Sequence, residues 1–171
     1  QAHGTKYNGK IVGSFGNISC FSFYATKHMT TGEGGILCTN SKKIKDFCLA
    51  FRNHGLKDRD THIQLGYNYR MTDISAAIGR VQLSKLQKFN TRRQEIADRY
   101  NAALSAYVSV PDNRRGHVFH QYTVRCKKRD ELRQHLDDNG VGTGIYYPTL
   151  IYHYKHKTSL SLLYTSDTAD D

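Results

Sequence analysis

The stretch "CFSFYATKHMTTGEGG", Cys20 to Gly35, places one lysine, Lys27, at the end of an apolar run and just ahead of a glycine turn. A lysine amine becomes a nucleophile when desolvation or a nearby cation lowers its pKa. It then condenses with a carbonyl compound, either a substrate or pyridoxal phosphate. Ser22 precedes Lys27 by five residues and offers a hydroxyl to a phosphate oxygen. Gly32, Gly34 and Gly35 let backbone approach a ligand closely. Each feature also has an ordinary reading. With 25 Lys and Arg residues in the chain, most lysines are solvated side chains, and a G-x-G-G is most often only a turn.

These residues need elements to hold them. "ISCFSFY" (18–24) and "GGILCT" (34–39) read as strands on either side of the glycine link. "KKIKDFCLAFRNHG" (42–55) reads as a helix, with Ile44, Phe47, Cys48 and Phe51 on one face and Gly55 as its cap. An irregular loop at 56–68 leads to a helix from about Asp73, capped by Thr72 or Asp73, whose apolar face starts with Ile74, Ala77, Ile78 and Val81. A second long helix is expected over 92–107. Pro111 and "DNRRGH" mark a boundary. Beyond it, "VFHQYTVRC" (118–126) alternates like a strand, with Val118, His120, Tyr122, Val124 and Cys126 sharing a face. A short helix stopped by Gly140 follows, with Leu132 and Leu136 inward, and then a strand over "VGTGIYYP". The expected division is 1–107, 108–157 as a small α+β domain, and a tail at 158–171. That tail lacks Lys and Arg and reads either as disordered or as a segment where the natural sequence has been lost.

Composition narrows the classes. The 171 residues carry a net charge of +10, and the basic residues are spread along helices rather than gathered in an arm. That is weak support for a nucleic-acid partner. No apolar run is long enough to cross a bilayer, and no secretory leader opens the sequence. The first residue is Gln1, so the chain reads as processed or as a piece of something longer. The four cysteines lie in apolar patterns without a C-x-x-C pair and read as buried, reduced side chains, which suggests the cytoplasm. His117-x-x-His120 and His153-x-x-His156 lack the cysteine or carboxylate partners of a zinc site, so no metal is expected.

Four segments together resemble the DegT/StrS family of pyridoxal phosphate-dependent sugar aminotransferases. They are "QAHGTKYNGKIVGSFG", "CFSFYATKHMTTGEGG", "LGYNYRMTDISAAIGRVQL", and "FHQYTVR" with "GTGIYYP". The resemblance runs from Gln1 to about Pro148. It implies an α/β chain of the aspartate aminotransferase-like fold type I, here part of the large domain plus a small C-terminal α+β domain. It also implies that Lys27 is the catalytic lysine, holding pyridoxal 5'-phosphate as a covalent aldimine and shuttling the proton. Ser22 matches the serine that binds the cofactor phosphate, and Gln1 a glutamine lying against the cofactor. Asn68 matches an asparagine that reaches the phosphate in the neighbouring subunit, which implies a homodimer with shared active sites. His3, Arg70 and Tyr146 are candidate substrate contacts. His3 equally fits a turn cap and Arg70 a structural ion pair, while Tyr146 stands where many relatives have histidine. Glu33 is read as ordering the glycine turn rather than as a base.

The chemistry so implied moves an amino group from glutamate to a nucleotide-linked keto-sugar, in cell-surface polysaccharide or amino-sugar biosynthesis. It requires no metal, membrane or nucleic acid. Relatives with histidine in place of the lysine dehydrate their substrates, and Lys27 argues against that branch. The family's aspartate for the pyridine nitrogen belongs two residues before Gln1, outside this sequence, so the isolated chain is expected to be inactive. The competing expectation is a non-catalytic regulatory or nucleic-acid-binding relative.

Overall fold

The computed structural model describes residues 1–112 and 116–149. It forms two compact units, Gln1–Cys126 and a second that begins at Lys127. The tail at 158–171, the histidines at 153 and 156, and the end of the expected small domain lie outside the described residues.

The first unit opens with a small antiparallel pair, β1 (Lys6–Tyr7) and β2 (Lys10–Ile11). It is followed by a second pair, β3 (Ser19–Ser22) and β4 (Gly35–Cys38). The β3–β4 register sets Ser22 opposite Gly35 and Cys20 opposite Leu37, so the glycine-rich link closes a hairpin at the level of Ser22. Helix α1 (Lys42–Phe51) starts where Ser41 Oγ accepts the Ile44 N–H and ends before Gly55, four residues short of the expected stop. Helix α2 (Asp73–Leu104) starts at Thr72, whose hydroxyl oxygen accepts the Ser75 N–H.

Helix α2 is one 32-residue element where two helices were expected. Asn90 and Thr91 look like a break in sequence, because Asn side chains compete for backbone hydrogen bonds. Here the Asn90 side chain is buried and donates to the backbone oxygen of His3 at 2.8 Å. Its amide is engaged elsewhere, and the helix runs on. The buried positions of α2 are Leu86, Asn90 and Ala97; Ile74, Ile78 and Val81, where the expected apolar face starts, are not among them. Those three are exposed, Ile74 by 76%. The core is accordingly small. Phe23, Met29 and Leu86 form its centre, with Phe21 and Met71 packed against them.

The strand expected over 118–126 does not form. Its alternation survives in burial, since Tyr122, Val124 and Cys126 are half-buried while their neighbours 121, 123 and 125 are exposed. A ladder, however, needs a partner strand. Only Ser109 exchanges hydrogen bonds with Arg125, at 2.9 Å each way. The carbonyls upstream are taken by side chains instead. His28 engages Val118 O, Arg93 donates to Phe119 O and His120 O, and Gln94 donates to His117 O. Phe119 also adopts φ 49°, outside the strand region.

In the second unit, helix α3 (Arg129–Asp138) half-buries Leu132 and Leu136 and stops at Gly140, whose φ is 75°. The "VGTGIYYP" segment is not a strand, and Tyr146 is 69% exposed. All four cysteines are free, but Cys20 is exposed and the others half-buried rather than buried; the β3–β4 pair that carries Cys20 and Cys38 has no further strand beside it among the described residues. Among the described residues, no helix is long and apolar enough to cross a membrane, and no cluster of His, Cys, Asp or Glu is arranged to hold a metal ion.

Candidate active site

The site is built around the turn that leaves β3. Ser22 ends the strand, its Oγ accepting the Tyr24 N–H at 3.2 Å. That contact uses an oxygen lone pair, so the exposed Ser22 hydroxyl keeps its proton for an outside acceptor. The chain then turns, with the Lys27 N–H donating to Tyr24 O at 3.0 Å. Lys27 is half-buried, and the next residue, His28, is 3% exposed.

The return to β4 is tightly specified. Thr31 N and Thr30 Oγ1 both donate to Phe23 O, and the Gly32 N–H donates to Thr30 Oγ1. Thr31 Oγ1 donates to the backbone oxygen of Glu33 at 2.6 Å, so Glu33 orders the turn through its carbonyl. Gly34 has φ 146°, and a Cβ there would lie 2.6 Å from Thr31 Oγ1 and 2.7 Å from Met71 Cε. Only glycine fits. Gln82 of α2 accepts the Thr30 N–H at 3.4 Å, which ties this turn to the helix.

Beneath the turn lie three histidines that the spacing argument did not gather. His3 is 4% exposed, and its Nε2 meets Ser22 O at 2.9 Å. His28 Nε2 meets Val118 O at 3.1 Å. The ring centroids of His3 and His28 are 5.5 Å apart, and those of His28 and His120 5.3 Å. Burial holds the His3 imidazole below its usual range, against the bond to Ser22, with Lys27 adding to the effect. Burial pushes His28 down to about 4, opposed by the Val118 bond and aided by Arg93 and the other two histidines. His120 is lowered by burial and then by Lys27, Arg93 and His3. These dependences place Lys27 and the histidines in one electrostatic neighbourhood. The adjacency of His28 to Lys27 was visible in sequence, but its link to a carbonyl ninety residues away was not.

The structure therefore brings together His3, Ser22 and Lys27. It sets Asn68 and Arg70 in a different group. Asn68 bridges to Asn53, and Arg70 Nη1 donates to Asn53 Oδ1 at 2.6 Å. Both are exposed, beside the rings of Phe51, Tyr67 and Tyr69. Tyr146 belongs to the second unit.

Comparison with known proteins identifies the family. The chain matches the DegT/DnrJ/EryC1/StrS aminotransferase family over residues 1–169. It is 45% identical over 157 residues to GDP-perosamine synthase of Escherichia coli O157:H7, covering 86% of this chain and 43% of that protein. It is 40% identical to a pleiotropic regulatory protein of Geobacillus stearothermophilus, covering 86% and 42%. Among solved structures, DesV of S. venezuelae in complex with a ketimine intermediate superposes with a TM-score of 0.86 at 32% identity, covering 91% of this chain and 43% of that one. A GDP-4-keto-6-deoxymannose-3-dehydratase with a trapped PLP-glutamate geminal diamine gives 0.75 at 27%, covering 81% and 43%. The chain thus spans a little under half the length of the relatives it matches. Family and superposition together give it the fold of part of a fold type I aminotransferase, and it belongs to the DegT/DnrJ/EryC1/StrS aminotransferase family.

Proposed function

We propose that the complete protein transfers an amino group from glutamate to a nucleotide-linked keto-sugar with the help of pyridoxal phosphate. The sugar acquires the amine at its carbonyl carbon, and glutamate leaves as 2-oxoglutarate. One observation carries this reading: a half-buried Lys27 and an exposed Ser22 hydroxyl sit at the two ends of one short turn, fixed from below by His3. The donor set fits the cofactor. The Ser22 hydroxyl has a proton to give a phosphate oxygen, and the Lys27 amine is the nucleophile an aldehyde requires. When bound, the cofactor supplies an electron sink for the charge left as the substrate's α-proton departs.

The residues of this chain do the rest. Ser22 holds the phosphate end at a set distance from Lys27. The Lys27 Nζ would remove the substrate's α-proton and hold it for return, a general acid–base role. Gln1, which lines a cavity beside Ala2 and Val118, is the proposed further cofactor contact. Asn68, turned outward with Asn53, fits a contact to the phosphate held by a second copy of the chain, and Arg70 and Tyr146 are the proposed sugar-side contacts. We place the protein in the cytoplasm, where nucleotide sugars are made and free thiols persist.

The test uses the full-length protein. It should purify yellow with bound cofactor and transfer amino groups from glutamate. Lys27→Ala should lose the yellow absorbance and about a hundredfold to ten-thousandfold or more of the activity. A colourless wild type without bound cofactor would refute the function, and undiminished colour in the variant would refute the role of Lys27.

A further inference from the structure

We propose that His28 is a positioning residue, which with His3 forms a clamp of neutral imidazoles that fixes both ends of the Lys27 turn. The proposal deepens the aminotransferase reading and rests on it for the role of Lys27.

The geometry dictates the tautomers. A carbonyl oxygen only accepts, so His3 must carry its proton on Nε2 to bond Ser22 O, and His28 must do likewise to bond Val118 O. Each Nδ1 is then a bare lone pair. Both are buried and find no hydrogen-bond partner among the described residues. His3 holds the start of the turn through the Ser22 carbonyl. His28 holds its end, because it follows Lys27 directly and is anchored on Val118. The two rings face each other at 5.5 Å, so the turn is gripped from one side at both ends.

The surroundings select the neutral form. The groups that bear on the clamp from neighbouring elements are Arg93 of α2, Lys27 itself and His120. The Arg93 guanidinium is a permanent cation. The Arg93 guanidinium is fixed beside the rings by Phe119 O at 2.9 Å and His120 O at 3.3 Å. Protonating His28 would add a cation to this set and turn its Nδ1 into a buried donor facing no acceptor. Acid should therefore release the clamp and displace Lys27, independently of the titration of the lysine.

The experiment compares His28→Gln and His28→Leu in the full-length protein. Glutamine keeps an N–H donor for Val118 O and does not titrate, whereas leucine keeps bulk and loses the donor. The first measurement is the pH dependence of thermal unfolding without cofactor. Wild type should lose stability on acidification through the histidine range, His28→Gln should lose less, and His28→Leu should lie lower at every pH. The second is the cofactor absorbance and kcat. His28→Leu should lower kcat roughly tenfold, His28→Gln should recover most of that loss, and its absorbance should persist to lower pH than in wild type. If His28→Gln is as impaired as His28→Leu, or keeps the wild-type acid sensitivity of unfolding, the proposal is overturned. Failure of the aminotransferase reading shows differently, as absent colour in wild type while the cofactor-free unfolding curves still decide the clamp.

Discussion

Two groups of candidate site residues are held by opposite means. Ser22 and Lys27 belong to a turn fixed by buried contacts, namely His3 on Ser22 O, His28 on Val118 O and Asn90 on His3 O. Asn68 and Arg70 belong to an exposed patch where Asn53 bonds the guanidinium and the rings of Tyr67 and Tyr69 stack 5.3 Å apart. The first group is held by buried contacts within the chain. The second faces outward. Substitutions around the turn should cost stability, and substitutions in the patch should cost binding.

Acid should strain that contrast most. His28 titrates near 6.5 when unfolded and at about 4 in place, so the folded state binds fewer protons between those values. Its contribution is fully present above 6.5 and fades as pH falls toward 4, by at most about 1.4 kcal/mol per pH unit. Denaturant unfolding at stepped pH measures it, and a flat profile would erase the distinction between the two groups. Gly34→Val comes next. It forces a side chain onto Thr31 and Met71 at a positive φ and should cost about 3 kcal/mol, read from the urea midpoint. Asn90→Ala leaves the His3 carbonyl buried without its donor and should cost about 2 kcal/mol by the same measurement. At the small end, Asn68→Ala should change stability by less than about 0.5 kcal/mol, being exposed. It should still weaken cofactor retention on dialysis. A stability loss as large as that of Asn90→Ala would show that the patch is a structural element after all.

The sequence exposed local order well and long-range order poorly. The runs that form β3 and β4 were legible as strands, and the starts of α1 and α2 and the Gly140 stop are set by residues within a few positions of each other. The 118–126 segment was misread because its alternation is real but its carbonyls are claimed by His28, Arg93 and Gln94, partners 23 to 90 residues away. The stripe of Ile74, Ile78 and Val81 was misread as a core face because apolar spacing identifies a surface without identifying what covers it. For the candidate site, Lys27, Ser22 and Gln1 were marked by motif, whereas His28 and His120 carry no motif.

Helix α2 has one further implication. Gln82 meets the glycine turn, Leu86 fills the core, Asn90 holds the His3 backbone and Arg93 holds the 119–120 backbone. These residues recur at intervals of four, four and three, which is one stripe of a helix turning about 100° per residue. The helix therefore acts as an indexing rod whose accuracy lies in counting rather than in composition. Exchanges on its exposed sides leave the count intact. Deleting a single residue between Gln82 and Arg93 would swing everything downstream by more than a quarter turn, and would uncouple the glycine turn from the backbone that holds His28.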